Sequence, residues 1–401
     1  MKLDYKIVTL IVALFPLLPN IMGASQIHIN IVIFLLSLTL LFMNFCAKDK
    51  FDYRLIIIIS TVFQIFTMIG FFLQDYNNKN ISDLVSVLRP LLLCITFVAL
   101  LPFGRYIINH KTRFFGYFSI ASLMYGILEV WFYYFRTIVF LLYKRVDKTG
   151  IHDSITTFFG TTYYSGYVFM IVGLICFAQY KLYKDKANLI GIISSILIIL
   201  LCGSKSVIAS LFLVLYFIFI FTRKLIPIVC LHIAGVLVFI LMYHYQDYLL
   251  NFILELNQRS LYTLLSNPGN SATLNIRIDQ IVASFTMSTE DCYFFGCGVR
   301  SDFLLESIYA SSLYRLGVLG SIYYFIIFIV FSAYSAVSLT CALDKKTKTY
   351  SLICLVWLMT LPFTQFSSPM IETSKLAYFT AIMVSIILSL NYKGDRNKND
   401  L

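Results

Sequence analysis

The sequence predicts an all-α polytopic integral membrane protein, and three observations carry that prediction. Of its 401 residues 59% are hydrophobic and only 13% charged, against roughly 25% charge in soluble proteins. Mean hydropathy is +0.83. The apolar residues fall in runs of roughly 16 to 25, close to the roughly 20 helical residues that cross a bilayer core, and the charges gather in the gaps between them. A chain with so few polar side chains cannot cover a water-facing surface.

Twelve spans follow in order, at 5–22, 28–47, 54–74, 86–103, 114–135, 158–180, 188–203, 205–222, 226–243, 310–341, 350–367 and 373–391. The first follows Lys2 and Lys6 in the manner of a signal peptide. It lacks a small-residue cleavage site and another run comes at once, so it reads as a helix. Residues 188–222 would run about 52 Å as one helix at 1.5 Å per residue, so the chain must reverse near Gly203-Ser204. The remaining runs are separated by short polar gaps, with one exception.

That exception, 244–309, is the only long hydrophilic segment, and it divides the chain. Spans one to nine occupy 1–243, the loop 244–309, spans ten to twelve 310–391, and a polar tail 392–401. The loop is not linker-like. YLLNFILELNQRSLYTLL has apolar residues at helical spacing, and after Asn267-Pro268-Gly269-Asn270 comes SATLNIRIDQIVASF, a second amphipathic helix for Ser271 to cap. Such helices lie on the membrane surface or over the bundle. No internal repeat is evident, which disfavours transporter folds built from repeated halves.

Orientation follows from the basic residues. With the N-terminus inside, 19 of the 31 Lys and Arg fall in short cytoplasmic loops or tails, so both termini are expected to be cytoplasmic and the long loop extracytoplasmic. This bias also accounts for much of the net charge of +11, and no nucleic-acid partner is implied. Nine cysteines are scattered, seven of them in or beside apolar runs, where they behave as small hydrophobes. Cys292 and Cys297 share the long loop and can pair if it is extracytoplasmic; no metal-ligand spacing is present.

The functional reading turns on the twelve outward cations, among them Arg89, Arg136, Lys205, Arg277, Arg300 and Arg315. The plain reading of each alone is snorkelling to the interface. As a set on one face, they suit an anionic substrate such as a membrane-embedded diphosphate, because arginine presents a planar fork of donors to phosphate. Lys205 opens a helix, where backbone N–H groups add to the site. Acids on this side are few. Glu129 precedes the aromatic belt Trp131-Phe132-Tyr133-Tyr134-Phe135, with Arg136 as its candidate partner; an intramembrane carboxylate is a functional candidate by default, and the equal alternative is a structural ion pair. Asp302 and Glu306 follow Gly296-Cys297-Gly298, and Glu306 opens the apolar run of span ten. A partly buried acid there can serve as a base, or it is an ordinary acid at a helix start. Tyrosines crowd the same face, Tyr163, Tyr164 and Tyr309 among them. No P-loop, GxSxG or HExxH is present.

Taken together these segments resemble the O-antigen polymerase and ligase superfamily. The turn Cys202-Gly203-Ser204-Lys205-Ser206 looks like its Ser-Gly-Ser-Arg type motif, with Lys205 in place of Arg. The segment Ser271–Asp279 resembles its loop arginine, here Arg277. FFGCGVRSDFLLESIYASSLYRLGVLGSIYYF resembles its block of paired glycines and a polar site, with Gly296, Gly298, Glu306, Ser307, Tyr309, Gly317 and Gly320 at matching places. An acid at 306, rather than the histidine of ligases, points to the polymerase. The resemblance implies a metal-independent, cofactor-free glycosyltransferase in the bacterial inner membrane. It would join oligosaccharide repeat units linked to undecaprenyl diphosphate on the periplasmic face, with a polysaccharide chain-length regulator as partner. In that reading Arg277, Arg300 and Lys205 bind the diphosphate and Glu306 is the base, with Asp302 or Glu129 next in line. Arg89, Arg315 and Tyr309 position lipid phosphate or sugar. The alternatives are the O-antigen ligase and a lipid-linked oligosaccharide flippase.

Overall fold

The computed structural model describes residues 53–73, 86–132, 154–222, 272–292, 294–298, 305–367 and 374–390, with isolated positions elsewhere. The expected spans 5–22, 28–47 and 226–243, and the first amphipathic helix of the long loop, lie almost wholly outside the described residues. Those described form helices and no strand: α1 Arg54–Leu73, α2 Arg89–Asn109, α3 Phe114–Trp131, α4 Thr162–Tyr183, α5 Lys186–Leu201, α6 Lys205–Phe221, α7 Ala272–Glu290, α8 Ile308–Cys341, α9 Lys345–Ser367 and α10 Ser374–Leu390. Six of them are long and apolar enough to cross a membrane, namely α1, α2, α3, α4, α8 and α9, while α5, α6 and α10 are shorter apolar helices.

The centre of the bundle is α4. Tyr167, Val168, Phe169, Ile171, Val172 and Ile175 are all inaccessible, because a helix apolar on every side is one enclosed by others. It packs against α5, α9, α3 and α10, while α2 lies along α10 and α8 along α9. Tyr167 carries its hydroxyl into this core and bonds Thr380 Oγ1 at 2.9 Å, since a buried phenol needs a partner. Small residues let backbones approach. A Cβ at Gly191 would lie 2.6 Å from the Cα of Gly116, so α3 and α5 cross glycine on glycine, the contact typical of membrane helices.

One end of the bundle is tied by polar bonds. Gln179 of α4 accepts from the Thr112 amide at 3.1 Å and donates to the Ile107 carbonyl at 2.9 Å. Tyr350 of α9 donates to the same carbonyl at 2.8 Å. Asp185, between α4 and α5, receives Lys111 Nζ at 2.8 Å and Arg113 Nε at 3.0 Å. The Lys111 hydrogen bond, helped by the Arg113 charge, holds the Asp185 carboxyl below its ordinary value.

Helix α8 is not the single span that its apolar run suggests. Gly317 has φ 73 and ψ −176, a conformation essentially confined to glycine, so α8 is an upper segment up to Leu316 and a lower segment beyond. The freed amides are answered from the loop. Val318 N–H donates to Ser288 Oγ at 3.2 Å and Leu319 N–H to the Phe294 carbonyl at 3.3 Å, while Cys297 N–H donates to the Tyr314 carbonyl at 2.7 Å. Cys292 and Cys297 form a disulfide with Cα atoms 5.3 Å apart, closing the turn that sits in this break.

Candidate functional site

Three separate stretches of chain bring charge to one place. Helix α5 ends at Leu201, Gly203 turns at φ 64, and α6 opens at Lys205 with Ser204 as its cap residue, the reversal expected from the sequence. Lys205 is half-buried, and the Arg277 guanidinium is near enough for the two positive charges to act on each other. Arg277 stands on α7. Its Nε lies 3.5 Å from Glu306 Oε2, the two side chains being 20% and 29% exposed, and its guanidinium carbon lies 5.9 Å from the centre of the Phe366 ring on α9. That Nε makes no hydrogen bond among the described residues: at 3.5 Å the carboxylate gives charge but not a short bond.

Glu306 is placed by its own backbone. Its N–H donates to Gln280 Oε1 at 2.9 Å, and Gln280 is one turn along α7 from Arg277, so a single helix face fixes both the backbone and the carboxylate. Ser307 then caps α8, its hydroxyl accepting from Ala310 N–H at 3.2 Å. Glu306 therefore sits one residue before the cap rather than in the first turn, where the macrodipole would account for it. Leu305, Ala310 and Tyr314 anchor this segment in a small core with Ile281 and Cys297.

Tyrosines line the same place. Tyr309 donates to the Pro362 carbonyl at 2.9 Å and its ring lies 6.4 Å from Phe366, which ties the start of α8 to α9. Tyr163 lies within the field of Glu306 and packs edge-on to Tyr164 with ring centres 4.6 Å apart. The set is a cationic pair, one carboxylate paired to half of it, and an aromatic wall: groups that together suit a phosphate-bearing sugar.

Three expected residues lie elsewhere. Arg89, first residue of α2, and Arg315, in the last turn of the upper α8 segment, line an apolar cavity of about 200 Å³ between α1, α2, α8, α9 and α10. Glu129 is fully buried and holds a backbone turn. Its Oε2 accepts from the Thr156 and Thr157 amides at 3.1 and 3.0 Å, and Oε1 accepts from the Thr156 hydroxyl. On the other side of that turn Lys375, also buried, donates to the Phe158 carbonyl at 3.1 Å. The described bonds of Glu129 are those of a structural anchor. Arg136, Arg300 and Asp302 lie outside the described residues.

Sequence reasoning missed Gln280, Phe366 and the Glu129–Lys375 turn. The small polar run Ser154-Ile155-Thr156-Thr157 at the edge of an apolar stretch was the available signal for the last. No cluster of three metal-ligand side chains occurs among the described residues. Compared with known proteins, the chain matches no protein-family model and no curated protein.

Proposed function

We propose that this chain is a membrane glycosyltransferase of the O-antigen polymerase kind. It would transfer a glycan from a polyprenyl diphosphate to the sugar of a second lipid-linked unit on the outer face of the inner membrane. The observation that carries this reading is the convergence of Lys205, Arg277 and Glu306 from three elements at a wall of tyrosines. In the displacement, an acceptor hydroxyl attacks the anomeric carbon and the bond to the diphosphate breaks. The diphosphate leaves with the electron pair, and the hydroxyl proton passes to Glu306.

Each group then has one task. Arg277 and Lys205 stabilise the negative charge that grows on the leaving diphosphate. Glu306 rests against Arg277 at 3.5 Å. A diphosphate competes for that guanidinium with two charges or more against one, so donor binding frees the carboxylate to act as base. Tyr309, fixed to the Pro362 carbonyl, and Tyr163 present rings and hydroxyls to sugar. A chain-length regulator is the partner that such a polymerase implies.

Deleting the gene and resolving the surface glycan by length tests this. Loss of long chains, with a single repeat unit still attached to the lipid core, is the expected result. Complete loss with accumulated lipid-linked units points instead to the ligase or flippase, and an unchanged ladder removes all three. A reporter inserted within 245–305 should read as extracytoplasmic; a cytoplasmic signal would overturn the site.

A further inference from the structure

The turn at 154–159 holds a backbone conformation that its sequence does not favour. Thr157 has φ 49, and Gly160 follows at φ 75. The left-handed region suits glycine but makes a β-branched residue an outlier, and such strain persists only where the surroundings over-determine it. Here they do. The successive amides of Thr156 and Thr157 both meet Oε2 of Glu129, on α3. The Thr157 hydroxyl lies 2.8 Å from Ser165 Oγ, and Lys375 of α10 closes the far side through the Phe158 carbonyl.

From this turn, contacts reach the reversal between α5 and α6. Ile155 N–H donates to the carbonyl of Leu201, the last residue of α5, at 3.2 Å. Ser165, in the first turn of α4, donates to the Thr156 carbonyl. Its hydroxyl also meets the thiol of Cys202, which lies within the field of Glu129. One residue further along α4, Gly166 makes room for the first turn of α6: a Cβ there would lie 2.9 Å from Val207 Cγ1. The tip of the reversal is open by contrast, with nothing within 4 Å of a Cβ built on Gly203. Leu201 and Cys202 on one side and Val207 on the other thus bracket Lys205.

We propose that Glu129 is a positioning residue for Lys205, acting through the 154–159 turn to fix where the α5–α6 reversal places that ammonium beside Arg277. A carboxylate suits the task. It is acceptor-only, so its two oxygens answer the two amides and the Thr156 hydroxyl of one turn together. Placement matters because a cation stabilises a leaving group's charge from a preorganised position, and a shift of about 1 Å can cost about 10²-fold. The consequence for glycosyl transfer rests on the function proposed above; the placement of Lys205 does not.

The test therefore has two readouts on the full chain in detergent. Reductive methylation of lysines, followed against pH by peptide mass spectrometry, reports the surroundings of Lys205 whatever the reaction. Lys345 and Lys348, both exposed, are internal references. In Glu129→Gln the Lys205 profile should move toward theirs, and in Ser165→Ala it should move the same way. The serine variant breaks the link without removing charge, so its shift is one of place and not of field, and it decides the matter should Glu129→Gln fail to fold. Asp185→Asn, which loosens the opposite end of α5, should leave the profile where it is. An unmoved profile in folded Ser165→Ala would overturn the proposal, as would an equal shift in Asp185→Asn.

The second readout is polymer formed per folded protein. Glu129→Gln should lose about 10–10²-fold in the wild-type background and less than about threefold where Lys205 is already Ala, because residues acting as a unit are not additive. A Glu129 that only stabilises the fold would lose the same factor in both backgrounds, and that result refutes the positioning role. A moved Lys205 profile with undiminished polymer would support the placement and remove Lys205 from the transfer site, so failure of the function is told apart from failure of the positioning.

Discussion

The pair Arg277–Glu306 separates a structural ion pair from a catalytic one by magnitude. At 3.5 Å and an effective dielectric near 20, two unit charges attract by about 5 kcal/mol before desolvation. With 20% and 29% of the side chains exposed, most of that is offset by lost hydration, and the net coupling should be about 1 kcal/mol. A cycle of Arg277→Gln, Glu306→Gln and the double variant, followed by thermal unfolding in detergent, should return that figure. Polymer formation by the same proteins should fall far more. Loss of a general base costs about 10²–10⁴-fold and loss of a preorganised charge about 10²–10³-fold, while the double variant falls by less than the product. The reasoning fails if each single variant loses only the few-fold that about 1 kcal/mol allows, or if the double variant regains activity because charge balance was all that mattered.

Gly317→Ala should lower stability by about 3 kcal/mol or stop folding, since a left-handed extended backbone there costs about 1–3 kcal/mol and a Cβ would strike the Phe294 carbonyl; unfolding in detergent measures it, and an unchanged midpoint would refute the break. Cys292 and Cys297 should resist thiol labelling from outside until reductant is added, and Cys292→Ser with Cys297→Ser should cost about 2 kcal/mol for so short a loop, read by the same unfolding assay. Glu129→Gln should cost about 1–3 kcal/mol, because the amide offers one acceptor to the donors on Thr156 and Thr157 that now meet two oxygens. Asp185 gives a pH signature. Its folded value lies below the ordinary 3.8, so its stabilisation is present above that pH and is lost as pH falls through the lower folded value. The gap in melting temperature between wild type and Asp185→Asn should therefore be present at pH 7 and close in strong acid.

Much of this was legible in the sequence because length and hydropathy are local. The Gly203 reversal follows from a run too long to cross once, and Lys205 had to open the next helix. Span ends were less legible where the hydropathy signal and the backbone part company. Helix α2 continues to Asn109 although the apolar run ends near 103, because Pro102 is accommodated within the helix and Arg105 remains half-buried against neighbours. Span ten reads as one rod, yet the Gly317 break depends on a loop that the disulfide closes and that Ser288 of α7 supports. No periodicity reports such a distant partner. The same holds for the site. Arg277 and Glu306 were each visible as charges out of place, but their pairing rests on Gln280 fixing the Glu306 backbone, a contact that only the packed loop creates.

The turn at 154–159 bears on how the chain is made. Its carboxylate, Glu129, enters the bilayer with the third described helix, whereas the ammonium on its other side, Lys375, arrives with the last one. Between those two events the ribosome has to deliver about 250 residues; Thr156 and Thr157 reach Glu129 soon after it, but the Phe158 carbonyl of the same turn waits throughout for its ammonium donor. Completion of that turn is thus gated by the last described helix, and a chain that stops before Lys375 leaves the Phe158 carbonyl without this donor.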